Sequence, residues 1–152
     1  MNQLPDEHKL NLPIAYVDIR FSVHATEDPE KVKKAAYSLF PADHITEVTF
    51  MEKVLRGYYG NCIVLFKTRI KDEEMIKAFV KKLSICLSKQ DKERIFRESN
   101  LFIERGNLYL RLDKQAALEG KLELRKDDPI HIRIHFKKKK IIEICRELGV
   151  MP

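Results

Sequence analysis

The sequence predicts a single α+β domain, two layers thick, with a mainly antiparallel sheet and helices on one face. Three observations lead there. Some segments alternate polar and apolar residues with a period of two, as half-buried strands do, while others repeat apolar residues at helical spacing. The two kinds follow one another at irregular intervals and through short hairpin-like links, unlike the strict alternation of a parallel sheet. With 152 residues, 44% of them hydrophobic, the chain can bury one core and is short for two.

Residues 1–12 show no periodicity and carry Pro5, with Pro13 just beyond, so they are expected to form a flexible leader to a domain over 13–152. From Ala15 the pattern is regular: Ala15, Val17, Ile19, Phe21 and Val23 form an inward row, and Tyr16, Asp18, Arg20, Ser22 and His24 an outward one. Asp28 and Pro29 then read as an N-cap and first-turn proline, opening a helix with Val32, Ala35, Ala36 and Leu39 on one stripe before Pro41 ends it. A second strand is expected over Ile45 to Leu55, with Val48 and Phe50 inward, and a third over Cys62 to Ile70. Asp72 caps the next predicted helix, whose Met75, Ile76, Phe79, Val80, Leu83 and Cys86 share a stripe.

A shorter helix follows over Asp91 to Glu98, anchored by Ile95 and Phe96. Strands over Leu101 to Glu104 and Leu108 to Leu112 flank a hairpin loop, Arg105-Gly106-Asn107. Asp113 caps a short helix over Lys114 to Glu119, closed by Gly120. Leu122 and Leu124 mark a brief strand, and Ile130, Ile132, Ile134 and Phe136 alternate with His131, Arg133 and His135 in the last one. A terminal helix carries Ile141, Cys145 and Leu148 on one face and ends at Gly149.

Charge points to an anionic partner. Lysine and arginine number 29 against 23 aspartates and glutamates, a net charge of +6. Helices would cover one sheet face, and the polar row of the strands defines the other. That face would carry Tyr16, Arg20 and His24 from the first strand, Tyr109 and Arg111 from the hairpin, and His131, Arg133 and His135 from the last strand, with Lys114 nearby. Rings and cations on one uncovered sheet can stack bases and hold phosphates. The plainer alternative is a solvated face held by cross-strand charge pairs, with Asp18 and Glu123 among the partners.

Two further features belong to the candidate surface. The loop Arg56-Gly57-Tyr58-Tyr59-Gly60-Asn61 joins strands and offers two adjacent tyrosines, with Arg56 and Asn61 beside them, where glycine permits close approach. It is not the backbone clamp of KH modules, which joins helices. The run Lys137, Lys138, Lys139 and Lys140 lies at the start of the last helix, and cations inside a helix N-terminus oppose its dipole. A run placed there points to a bound anion, whereas a helix beginning at Ile141 removes most of that force.

Catalysis, metals and cofactors are not expected. There is no phosphate-binding glycine loop, nucleophile motif or paired cysteine motif. In a strand, His131 and His135 stand about 13 Å apart, too far to share an ion. Cys62, Cys86 and Cys145 are odd in number, far apart and set among apolar neighbours, which predicts separate, buried, reduced thiols in a cytoplasmic protein. No apolar run reaches the length of a membrane helix, so no membrane partner is expected.

Three segments carry a family resemblance: His24-Ala25-Thr26-Glu27-Asp28, Gly57-Tyr58-Tyr59-Gly60-Asn61, and the eleven-residue stretch from Asn107 through Tyr109, Arg111, Asp113 and Lys114 to Ala117. The chain resembles, from about Ile14 to Arg146, the archaeal RNA-binding proteins predicted to be exosome subunits. That family is similar in fold to the α+β ribosomal protein that anchors the smallest RNA of the large subunit. The resemblance implies a non-catalytic RNA-binding accessory protein of RNA processing or degradation, with RNA and exosome subunits as partners. Leu112 departs from the phenylalanine expected there, and the period-two pattern turns it inward. A protein-binding scaffold with a basic face and a small RNA-modifying enzyme are the alternatives.

Overall fold

The computed structural model describes residues 12–40, 48–57 and 61–152. Six strands form one antiparallel sheet in the order β2-β3-β1-β6-β5-β4. They are β1 (Ile14–His24), β2 (Met51–Arg56), β3 (Cys62–Ile70), β4 (Ile103–Glu104), β5 (Asn107–Leu112) and β6 (Ile130–Phe136). Six helices lie among the described residues: α1 (Pro29–Tyr37), α2 (Glu73–Cys86), α3 (Lys89–Arg97), α4 (Ser99–Phe102), α5 (Lys114–Leu118) and α6 (Ile141–Leu148). The α+β, two-layer expectation holds; the leader over 1–12 lies outside the described residues, apart from Leu12.

The first and last strands are the centre of the sheet. Val17, Ile19, Phe21 and Val23 of β1 and Ile130, Ile132, Ile134 and Phe136 of β6 are all buried. They meet Val32, Ala35 and Ala36 of α1, the Met75, Ile76, Phe79, Val80 and Leu83 stripe of α2, Ile95 of α3, and Ile141 and Cys145 of α6 in one core. At about 1.5–3 kcal/mol for each large side chain fully removed from water, this core is the main folding force. Phe21 stacks on Phe66 with centroids 5.0 Å apart and meets the edge of Phe50 at 5.2 Å. Asp28, Asp72 and Asp113 each accept a backbone N–H in the first turn of the helix that follows, as their positions predict.

Several boundaries differ from expectation. The β1–β6 register shifts between Ile14 and Tyr16, so Ile14 joins the core while Tyr16 keeps to the opposite face; Ala15 is not an inward residue of a regular strand. Val48 and Phe50 do pack inward, but they precede β2, which begins only at Met51; Ile45 to Glu47 lie outside the described residues. Leu101 and Phe102 end the short helix α4, because the Glu98 turn continues helically, leaving β4 two residues long. Helix α3 starts at Lys89, capped by the Ser88 hydroxyl, and its Phe96 is exposed beside Arg146. Leu122 and Leu124 form isolated bridges to Leu87 and Leu112 in place of a strand.

The cysteines are free, but only Cys145 is buried; Cys86 is half-buried and Cys62, at the start of β3, is exposed. Burial pushes the Cys145 thiol up to about 12. The lysine run precedes the last helix. Lys140 is its N-cap, in the left-handed region at φ 64°, and Ile141 is its first helical residue.

Candidate nucleic-acid interface

The buried rows of the strands and the helix stripes meet in one core on one side of the sheet, so the outward rows form a face that no helix among the described residues covers, although α4 reaches its rim with Asn100 and Leu101. Strand register arranges it in three lateral rows. In the first, Lys67 of β3, Arg20 of β1, His131 of β6 and Arg111 of β5 stand on four successive strands, each about 4.8 Å from the next. Among the described residues, no carboxylate or carbonyl accepts a hydrogen bond from the side chain of Arg20, Lys67 or Arg111. Like charges directly opposite one another destabilise a sheet. His131 responds by losing its proton more readily: burial lowers its pKa below 6.5, and Arg20 and Arg111 lower it further.

The second row is Arg69, Asp18, Arg133 and Tyr109. Here the charges are paired. Arg69 grips Asp18 with Nε and Nη2 at 2.7 and 3.0 Å, which is the cross-strand charge pair of the plainer sequence reading. The third row is Tyr16, His135, Asn107 and Glu104. His135 stacks on Tyr16 with centroids 4.8 Å apart, and the Arg69 guanidinium lies 3.9 Å from the ring centre. Arg69 comes from the strand on one side of β1 and His135 from the strand on the other. Tyr16 is therefore already stacked, and it is no open platform for a base.

A hydrogen-bond chain fixes this end of the face. Arg133 donates to the Tyr16 hydroxyl at 2.9 Å and to Asn107 Oδ1 at 3.3 Å, and His135 Nδ1 lies 2.8 Å from the same oxygen. An amide oxygen only accepts, so His135 donates through Nδ1 and, when neutral, turns Nε2 outward as an acceptor. Asn107, expected in the hairpin loop, is instead a buried strand residue whose Nδ2 donates to the carbonyls of Glu104 and Arg105. Tyr109 is the exposed ring of the face, 38% accessible.

Tyr16, Tyr109, Arg111 and Arg133 thus share a face, as the alternation predicts. Tyr109, Arg111 and Arg133 line, with Arg20, Lys67 and His131, a concavity of about 1050 Å³ whose rim includes Asn100, Leu101 and Glu104; Tyr16 and His135 do not line it. The lysine run borders a second hollow of about 970 Å³ that shares Asn100 and Ile103 with the first. Arg56 is not brought to this face, because its phase in β2 is that of Glu52 and Val54, on the helix side. Asn61 sits at the far end of β3, its carbonyl taken by Gly57 N–H, and Tyr58 and Tyr59 lie outside the described residues.

Lys114 and His24 are engaged internally. Lys114 Nζ lies 2.6 Å from the Ser22 carbonyl, 2.9 Å from Asp128 and 3.2 Å from Glu27, with its side chain only 12% exposed. His24 Nε2 lies 3.1 Å from Asp128. His24, Glu27 and Asp128 could by spacing hold an ion, but the Lys114 ammonium already supplies the positive charge there. Burial raises the Asp128 pKa, and the hydrogen bonds from Lys114 and His24 outweigh it, holding the carboxyl below its ordinary value.

Lys67 and Arg69 escaped the sequence reading. The outward row of β3 also contains Ile63 and Leu65, so its polar phase is not visible as an alternation. The available signal was the spacing of Lys67 and Arg69 themselves, two apart in a predicted strand.

An open-faced two-layer α+β domain with a cation-rich sheet surface is the class that fold and site define. A family model described as RNA binding matches residues 16–136. The chain belongs to this RNA-binding family. It is 35% identical over 139 residues to RNA-binding protein PAB1135 of Pyrococcus abyssi, covering 86% of this chain and 90% of that protein. Among solved structures it is similar to AF2318 of Archaeglobus fulgidus, at 32% identity and a TM-score of 0.73, covering 89% of this chain and 99% of the other. SSO0741 of Sulfolobus solfataricus aligns with a TM-score of 0.74 and 28% identity over 88% of this chain and 97% of its own. Both are described as DUF54 proteins.

Proposed function

We propose that this chain binds RNA on its helix-free sheet face, without catalysing a reaction on it, as an accessory protein of archaeal RNA processing or degradation associated with the exosome. The observation that carries the RNA reading is the lateral row Lys67–Arg20–His131–Arg111: Lys67 and Arg20 stand directly opposite, like charge against like, Arg20 and Arg111 flank a histidine whose pKa they lower, and no acid pairs across from them among the described residues. Phosphates relieve that repulsion. A sheet surface reaches unpaired bases more readily than the buried edges of an A-form duplex, so single strands and loops are the preferred targets. Arg20, Lys67 and Arg111 neutralise backbone charge, Tyr109 stacks a base, and Nε2 of His135 accepts from a base or a 2′-hydroxyl. Lys137 to Lys140 extend the path at the β5–β4 end. Arg69, Arg133 and Lys114 hold the surface in shape.

Membership of the RNA-binding family and the likeness to a relative named as an RNA-binding protein support this reading. The exosome association, and the fold likeness to the ribosomal protein that anchors the smallest large-subunit RNA, rest on the resemblance of the three sequence segments. No helix among the described residues is long and apolar enough to cross a membrane.

Fluorescence anisotropy with a short single-stranded RNA over a salt series tests the binding. Three neutralised phosphates give a slope of log K against log salt of about −2. Arg20→Ala with Arg111→Ala should flatten it by about 1.4, whereas Tyr109→Ala should weaken binding by about 1–3 kcal/mol with the slope kept. The proposed stacking by Tyr58 or Tyr59 is read the same way. Absence of binding at low salt, or a slope indifferent to the arginines, defeats the reading. Exosome subunits that co-purify after nuclease treatment support the assembly part; their loss leaves RNA as the link.

A further inference from the structure

The two edges of the sheet are unlike. β4 offers two residues, too few to template another strand, whereas β2 offers six, Met51–Arg56, and every one is exposed. It contains no proline, and Met51, Val54 and Leu55 are 77%, 65% and 39% accessible. An exposed six-residue edge with unpaired backbone groups can template another strand, and its charges decide which one.

Among the described residues no strand pairs with the outer side of β2, and the ladder to β3 fixes which backbone groups face that way. Gly57 N–H donates to the Asn61 carbonyl at 2.8 Å, continuing the register that sets Arg56 opposite Cys62. Bonded and non-bonded pairs alternate along an antiparallel ladder. Leu55, Lys53 and Met51 therefore bond inward to β3, and the N–H and C=O groups of Glu52, Val54 and Arg56 point away from the sheet.

We propose that this edge pairs with the same edge of a second copy of the chain, antiparallel about a two-fold axis at Val54, to form one continuous twelve-stranded sheet. In that register all three outward residues are bonded at once: Val54 faces the partner's Val54, Glu52 faces the partner's Arg56, and Arg56 faces the partner's Glu52. Other registers are worse. A centre on Glu52 or on Arg56 sets like charges opposite, and the intermediate shifts set a charge against Val54 and leave one outward residue unpaired. The charge order acid, apolar, base reads as its own complement when reversed, which is why a second copy fits better than an unrelated strand. The pairing is isologous and closes at two, because the opposite edge is the short β4. Lys53 and Leu55 lie in the phase of Lys67 and Arg20, so the two helix-free faces join into one surface.

Sedimentation of the whole chain over a concentration series tests this. Association to twice 17.9 kDa is expected at high concentration. Glu52→Arg and Arg56→Glu each place like charges opposite twice per dimer and should raise the dissociation constant about tenfold or more. Mixing the two variants should restore association, since one then carries only cations at these positions and the other only anions. Val54→Pro removes an outward N–H at an exposed site and should abolish pairing, with circular dichroism showing the fold intact. A parent chain that stays at 17.9 kDa throughout overturns the proposal. So does a Val54→Pro variant that associates like the parent, or a mixture of charge variants that fails to recover.

Discussion

His131 is a histidine held between two arginines, and its protonation reports on what lies over the face. Burial first, then Arg20 and Arg111, hold its pKa below 6.5, so in the folded chain it gives up a proton that the unfolded chain still keeps. The stability tied to it is fully present above pH 6.5 and is lost as pH falls through the lower folded value. Thermal melts of the parent should therefore drop further on acidification than those of His131→Gln. Ring resonances followed by NMR should titrate below 6.5 in the free protein and move upward when single-stranded RNA or inorganic polyphosphate is added. A midpoint at or above 6.5 in the free chain would contradict the burial and the flanking cations.

The sequence could place His131, Arg133, Tyr109 and Arg111 on one face, because strict alternation fixes the phase of a strand. It could not distinguish free side chains from engaged ones. Tyr16 and Arg133 look alike in sequence to Tyr109 and Arg111, yet the first two bind each other, while the Tyr109 ring reaches solvent with its hydroxyl 3.4 Å from Asn107 Nδ2 and Arg111 is exposed. That difference depends on Arg69 and Asn107, which come from strands 51 and 26 positions away from the residues they contact.

Among the elements, caps and stripes were legible and short irregular pieces were not. Asp28, Asp72 and Asp113 each stand before an amphipathic run, a local signal that needs no tertiary context. Helix α4 carries no such signal, having neither a side-chain cap nor a buried residue. The end of α6 shows how sharply an element can depend on one position. Gly149 has φ 83°, and a Cβ there would stand 2.3 Å from Ser84 Oγ and 3.2 Å from its Cβ, on α2. Gly149→Ala combines left-handed strain with this clash, and denaturant titration should show a loss of about 1–3 kcal/mol. Adding Ser84→Ala should recover part of that loss by removing the hydroxyl, but not the strain. Full recovery would show that the backbone conformation costs nothing.

At the scale of the whole molecule, one core serves every element except β2, whose six residues are all exposed, and β1 runs through its centre. Phe21 is fully buried between Phe66 and Phe50. Phe21→Ala should destabilise the protein by about 3–5 kcal/mol in urea unfolding, with one cooperative transition retained. A loss under about 1 kcal/mol would mean that the surrounding rings collapse into the space. The domain class was readable because strands and helices each announced their own period. The order of the strands was not, since no local pattern says that residues 14–24 lie beside residues 130–136.

That adjacency has a consequence for how the protein is made. Two members of the Lys67–Arg20–His131–Arg111 row, Arg20 and Lys67, are synthesised well before Arg111 and His131. Until β6 emerges, β1 has an open edge where that strand belongs, and Arg111 has no row to be aligned with. Contacts this distant in sequence also make for slow closure of the sheet. A ribosome still carrying the growing chain therefore displays an incomplete surface, and the full row comes into being only once β6 has emerged and docked between β1 and β5.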